Sequence, residues 1–239
     1  MVTYSIVIPA YNEEQWLPAT VEAASRAMAA QRVPGELIVV DNNSSDRTAA
    51  AAAALGARVV FEPVNQISRA RNAGARASAG RFLIFADADT VVSPGLLAAA
   101  LENLASGRCC GGGAAVAFDS YPGRGLRFFA RLWNRLSVWR GLAAGAFVYC
   151  RREAFEAVGG FSQRVYAGEE LFFSRSVRHW GRKRGLEFRI ITGHPLVTSS
   201  RKLQWHSPLS ILLTQAPLVL CPFMLTSKRF CSFWYRRPR

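Results

Sequence analysis

The stretch GRFLIFADADTVVSPG, residues 80–95, joins a run of strand-forming apolar residues, Phe82 to Phe85, to two carboxylates, Asp87 and Asp89, with only Ala88 between them. It then breaks at Ser93-Pro94-Gly95, where Ser93 suits a helix N-cap and Pro94 the first helical position. A strand that is apolar on both faces belongs inside a covered parallel sheet, because a strand with one wet face alternates instead. Reading outward, the same rhythm of short β-branched run, polar end and helix recurs. Strands are expected at 4–8, 36–40, 57–61 and 81–85, with helices at 13–30 behind an Asn12 cap, 46–55, 68–79 and 94–104. This order predicts an α/β, Rossmann-like fold with a mainly parallel central sheet covered by helices on both faces.

The second half is less regular, with strands expected at 109–118, 146–150 and 186–191 and a helix at 168–180. At 239 residues, half of them hydrophobic, the chain can bury a core sufficient for one α/β domain. Its five cysteines form no C-x-x-C, and only three histidines accompany them, so neither a disulfide framework nor a zinc site is expected. That usage fits a reducing, cytosol-facing location. The start, MVTYSIVIPAYNEE, lacks a basic n-region and is expected to be the first structural strand rather than a secretory signal.

Net charge is +14, and its distribution is uneven. Residues 1–107 hold 8 Lys/Arg against 10 Asp/Glu, whereas residues 108–239 hold 22 against 6. The basic half suits an anionic partner, either nucleic acid or a membrane surface.

Polar groups follow three of the strands: Tyr11-Asn12-Glu13, Asp41-Asn42-Asn43, and Asp87 with Asp89. In an open parallel sheet such ends converge on one crevice, where ligands bind. Asp and Asn also suit ordinary turns, so any single strand end admits a plain structural reading. Two carboxylates one residue apart can hold a divalent cation through hard oxygen ligands, with phosphate oxygens at its other positions.

Five segments in order, SIVIPAYNEE (5–14), VVDNNSSDRT (39–48), NQISRARNAGARASAGRFLIFADADT (65–90), REAFEAVGGF (152–161) and AGEELFFSR (167–175), resemble the family 2 glycosyltransferases, inverting enzymes of the GT-A fold. The resemblance implies a GT-A domain over 1–200, with a nucleotide-binding half at 1–107 and an acceptor half at 108–200. A basic, hydrophobic segment at 201–239 follows. It further implies that Pro9, Ala10, Tyr11 and Glu13 cradle the nucleotide, that Asp41 contacts the base, and that Arg71 approaches the diphosphate. Asp87 and Asp89 correspond to the family's pair for Mn2+ or Mg2+, with His194 as a third ligand. Glu170 maps to the general base and Glu169 to its neighbour at acceptor or sugar, although the family usually has Glu-Asp there. Plain alternatives stand beside these roles. Tyr11 can pack on the sheet edge, Arg71 can be a solvated helix residue, two glutamates suit a helix start, and His194 can be an ordinary loop residue.

The function implied is metal-dependent transfer of a sugar from a nucleoside diphosphate to an acceptor hydroxyl, on a lipid-linked or membrane-borne acceptor. Two alternatives are a polyprenyl-phosphate sugar transferase and a non-catalytic basic binding module. In YPGRGLRFFARLWNRLSVWR, residues 121–140, Arg127, Arg131 and Arg135 share one helical ridge, with Leu126, Phe129, Trp133 and Leu136 on another. Such a helix suits a membrane interface or the outside of a domain. No nucleic-acid module accompanies it, so a nucleic-acid partner is not expected. SPLSILLTQAPLVLCPFMLT, residues 207–226, carries no charge and is flanked by basic residues on both sides. It is expected to be a monotopic or re-entrant segment kinked near Pro217, holding the protein peripherally at the cytosolic face of a membrane.

Overall fold

A computed structural model describes residues 2–120, 124–143, 145–200 and 222–231. Residues 207–221 of the apolar stretch, the basic residues before it and the 232–239 tail lie outside that set. The first half runs β1 (Tyr4–Ala10), α1 (Leu17–Ala29), β2 (Gly35–Asp41), α2 (Thr48–Ala54), β3 (Arg58–Phe61), α3 (Ile67–Ala77), β4 (Phe82–Ala86), β5 (Thr90–Val91) and α4 (Pro94–Ala105). The second half runs β6 (Cys109–Phe118), α5 (Arg124–Arg140), β7 (Phe147–Arg151), α6 (Arg152–Ala157), α7 (Glu169–Arg182) and β8 (Glu187–Thr198), with a 3-10 turn at Pro222–Thr226.

The described strands form one sheet in the order β3-β2-β1-β4-β7-β6-β8-β5. β3, β2, β1 and β4 are mutually parallel. β7 runs antiparallel to both β4 and β6, and β8 lies parallel to β6. The chain leaves β1 toward β2 and β3, then returns past β1 to β4. That reversal opens a crevice above the carboxyl ends of β1 and β4, the place where such sheets take ligands.

Both faces of the sheet are dry along β1 and β4, as the apolar runs require. Ile6, Ile8, Val39, Phe82 and Ile84 pack beneath α1 and α4, against Leu17, Val21, Leu97 and Leu101. The alternate residues Val7, Ile38, Val40, Leu83 and Phe85 point the other way, against Ala70 and Ala73 of α3, Phe155 of α6, and Phe173 and Val177 of α7. Each side chain of this kind contributes on the order of 2–5 kcal/mol, measured as the loss on truncation to Ala. Gly74 lets α3 lie close on the sheet, since a Cβ there would sit 2.3 Å from Val7 Cγ1 and 2.8 Å from Val40 Cγ2.

Ser93 caps α4, its Oγ accepting from the Leu96 amide at 3.2 Å. Asn12 does not cap α1, which starts at Leu17. Instead Asn12 has a left-handed φ of 54° and its Oδ1 accepts from the Ser45 amide at 2.8 Å, tying the turn after β1 to the turn after β2. On α5, the Asn134 amide bonds both N–H and C=O of Val116, each at 2.9 Å. It thereby satisfies backbone on β6 beyond the Gly111–Gly113 stretch paired with β7. Among the described residues, no helix is long and apolar enough to cross a membrane. Cys109, Cys110, Cys150 and Cys231 are free and buried.

Candidate active site

A cavity of about 300 Å³ occupies the crevice. Pro9, Ala10, Tyr11 and Glu13 line it from the turn after β1, and Asn42 from the turn after β2. Asn65, Ile67 and Arg71 come from α3 and its approach, and Asp87, Ala88 and Asp89 from the end of β4. Gly145 and Ala146, before β7, and the run Tyr166 to Glu170 at the start of α7 close it.

Arg71 sits at the meeting point of these walls and is only 1% exposed. Its Nη1 donates to Glu169 Oε1 at 2.7 Å, and its Nη2 donates to Asp87 Oδ1 and to the Gly145 carbonyl, both at 2.8 Å. A planar guanidinium can serve these diverging acceptors at once, where an ammonium would serve them less well. Burial works against its charge, but Asp87, Glu169 and Glu170 outweigh that and raise its pKa. One residue of α3 therefore links the end of β4, the loop before β7 and the first turn of α7.

The two glutamates differ in surroundings. Burial pushes Glu169 up, and the Arg71 guanidinium opposes that shift. Burial, followed by the neighbouring charge of Glu169, pushes the Glu170 carboxyl up to about 8. The Glu170 carboxyl lies against Gly145, where an added Cβ would stand 2.9 Å from its Cδ and 3.0 Å from its Oε1. A carboxyl raised toward neutrality at a cavity wall has the character of a group that exchanges a proton during reaction.

The structure thus brings together Pro9, Ala10, Tyr11, Glu13, Arg71, Asp87, Asp89, Glu169 and Glu170. Asp41 is buried at the end of β2, in register with Ala10, and its Oδ1 accepts from the Ser44 amide at 3.0 Å. His194 is not among the residues that line the cavity. A register shift between Ala114 and Val116 throws residues 192–195 out of the β6–β8 ladder, and the imidazole lies against Gly95 at the start of α4. Among the described residues, no cluster of three His, Cys, Asp or Glu side chains could hold a metal. The donor chemistry of Asp87 and Asp89 nonetheless suits a hard divalent cation whose remaining positions are filled by phosphate oxygens and water.

Several polar residues at and around the cavity act on the backbone that shapes it. Asn42 gives Nδ2 to the Glu62 and Val64 carbonyls, and Asn65 gives its Nδ2 to the Asn42 carbonyl. Gln66 donates to the Gln163 and Val165 carbonyls, and Asn72 to that of Phe161, so α3 holds the loop that leads into α7. Residues 222–231 also reach this rim: Leu225 accepts from the Tyr166 amide, Cys231 packs on Ala167, and Lys228 donates to Asn65.

The family model of glycosyl transferase family 2 matches residues 5–159. An uncharacterized glycosyltransferase of Mycobacterium tuberculosis is 37% identical over 103 residues, 43% of this chain and 44% of that protein. A succinoglycan biosynthesis protein of Rhizobium meliloti is 33% identical over 135 residues, 53% of this chain and 36% of that protein. The chain thus matches less than half the length of these curated relatives. Among solved structures, glucosyl-3-phosphoglycerate synthase from Mycobacterium tuberculosis, in complex with Mn2+, UDP and phosphoglyceric acid, is similar with a TM-score of 0.65 at 21% identity, over 96% of this chain and 78% of that one.

Proposed function

The chain belongs to glycosyl transferase family 2, and on that footing we propose that its cavity transfers a sugar from a nucleoside diphosphate to an acceptor hydroxyl, inverting the anomeric carbon. The observation that carries this reading is that one cavity is lined both by Asp87 and Asp89, at the end of β4, and by Glu169 and Glu170, at the start of α7. The first pair suits a diphosphate with its cation, and the second suits the acceptor. Pro9, Ala10, Tyr11 and Glu13 form the wall for the nucleoside, with Asp41 behind them at the base.

In the transfer, the acceptor oxygen forms a bond to the anomeric carbon as the bond from that carbon to the diphosphate oxygen breaks. Glu170 takes the hydroxyl proton at its carboxylate while this happens. Glu169, held by Arg71, keeps the first turn of α7 in place so that Glu170 faces the reacting centre. Mn2+ or Mg2+ held by Asp87 and Asp89 would neutralise charge on the departing diphosphate.

A lipid-linked or membrane-borne acceptor, met by peripheral attachment at the cytosolic face, is the finer part of the proposal. The excess of basic residues in 108–239 supports it, as does the aromatic surface of α5. The test is release of nucleoside diphosphate by the purified chain from a panel of nucleotide sugars, with and without Mn2+. Metal-dependent release from at least one donor is expected. Absence of release from every donor in the presence of Mn2+ or Mg2+ overturns the proposal.

A further inference from the structure

The apolar residues that α5 shows to solvent are not the set its sequence pattern suggests. Ala130 and Ser137, seven residues apart, are buried and mark its inner face. On the outer face Phe128, Leu132 and Trp139 are 69%, 54% and 73% exposed, with Leu136 beside them at 39%. Their spacing of four and seven makes one continuous stripe along the helix. Trp133, expected on an apolar face with Leu136, is only partly exposed. Arg127, Arg131 and Arg135 run along one edge of the stripe, all exposed, and Arg140 lies 4.3 Å over the Trp139 ring.

We infer that this stripe is a membrane-docking surface, with Phe128, Leu132 and Trp139 entering the headgroup region of an anionic leaflet and Arg127, Arg131 and Arg135 meeting its phosphates. Large apolar side chains next to a basic ridge are what an interfacial helix uses, the apolar part for depth and the arginines for anionic lipid. A second copy of this chain is the poorer occupant. α5 holds five arginines and no acid, so a two-fold contact through the same face would set arginine against arginine. Nor does any acid occur between Asp119 and Glu153 to relieve that repulsion.

Docking in this way has a use at the cavity. Gly145, five residues beyond the end of α5 in the sequence, touches the Glu170 carboxyl, and its carbonyl accepts from Arg71. A leaflet lying on α5 is therefore close in sequence to the acceptor side of the site. That consequence rests on the membrane-borne acceptor proposed above, whereas the docking does not.

The test is cosedimentation of the full chain with vesicles of phosphatidylcholine mixed with phosphatidylglycerol, against phosphatidylcholine alone. Neither donor nor acceptor is present, so the result stands apart from whether sugar is transferred. Wild type is expected to partition onto the anionic vesicles and to leave them as salt rises. Phe128→Ser/Trp139→Ser is expected to lower partitioning by about tenfold or more, with an unchanged melting temperature because both side chains are solvent-facing. Arg131→Glu/Arg135→Glu is expected to abolish the preference for phosphatidylglycerol. Undiminished partitioning of Phe128→Ser/Trp139→Ser overturns the inference by placing the anchor elsewhere in the chain. Failure of wild type to partition overturns it too, as does a wild-type dimer in sedimentation that the same double variant dissociates.

Discussion

Arg71 Nη1 lies 2.7 Å from Glu169 Oε1, an ion pair in which both side chains are almost wholly buried although the residues are 98 positions apart. Through the other terminal nitrogen the same guanidinium holds Asp87 and the Gly145 carbonyl. The arginine expected to reach for diphosphate has its terminal nitrogens engaged by the protein, and it fixes the groups on either side of the cavity relative to each other.

Arg71→Met leaves Glu169 buried beside a side chain that cannot pair with it. Losing one partner of such a pair is expected to destabilise the fold by roughly 3–5 kcal/mol. Adding Glu169→Gln, which removes the stranded charge, is expected to recover part of that loss. Urea unfolding of the two single variants and the double variant gives the coupling, and strict additivity would show that the pair contributes nothing.

Gly145→Ala places a methyl group against Glu170, whose side chain can yield without disturbing the core. The variant is expected to melt near wild type and bind nucleoside diphosphate normally. Turnover is expected to fall on the order of a hundredfold, because a reacting group displaced by about 1 Å loses roughly that much. Steady-state kinetics beside calorimetry separate the effects, and full turnover would mean that the Glu170 position is not critical.

Glu170 must be ionised to accept a proton, and burial has pushed its carboxyl up to about 8. The rate at low substrate is therefore expected to rise with pH and level off above about 8. The direction for stability is opposite. The folded chain keeps this proton at pH values where the unfolded chain has released it, so stability present below the ordinary carboxyl range is lost as pH rises through about 8. Glu170→Gln is expected to flatten both profiles and to lower turnover by about 10²–10⁴ with donor binding retained. Near-normal turnover of Glu170→Gln would favour the polyprenyl-phosphate alternative, whose acceptor is already an anion.

Asp89→Asn removes one of the two charges offered to a cation. The Mn2+ concentration that half-saturates nucleoside diphosphate binding is expected to rise about tenfold or more. Calorimetric titration of the variant with Mn2+ checks this, and an unchanged titration would remove Asp89 from the metal site.

The strands, the helix after Ser93 and the crevice were legible in the sequence because they rest on local regularities. Residues 82–85 are apolar on consecutive positions, polar groups follow at Asp87 and Asp89, and Ser93-Pro94 starts a helix whatever surrounds it. The motifs also contain many of the residues that line the cavity, among them Tyr11, Arg71, Asp87, Asp89 and Glu170, but not Gly145 or Tyr166. Tertiary structure alone decided what those residues do to one another. Arg71 and Glu169 find each other only because α3 and α7 pack on the same face of the sheet, and burial is what pushes both adjacent glutamates up from the ordinary carboxyl range. Pairing across β6 and β8 sets the irregularity that contains His194, whose imidazole lies against Gly95, and the face of α5 turned to solvent was chosen by Ala130, Asn134 and Ser137 meeting the body of the domain. Helical periodicity can state which residues share a face, but it cannot state which face meets water, because that depends on the packing partners that folding supplies.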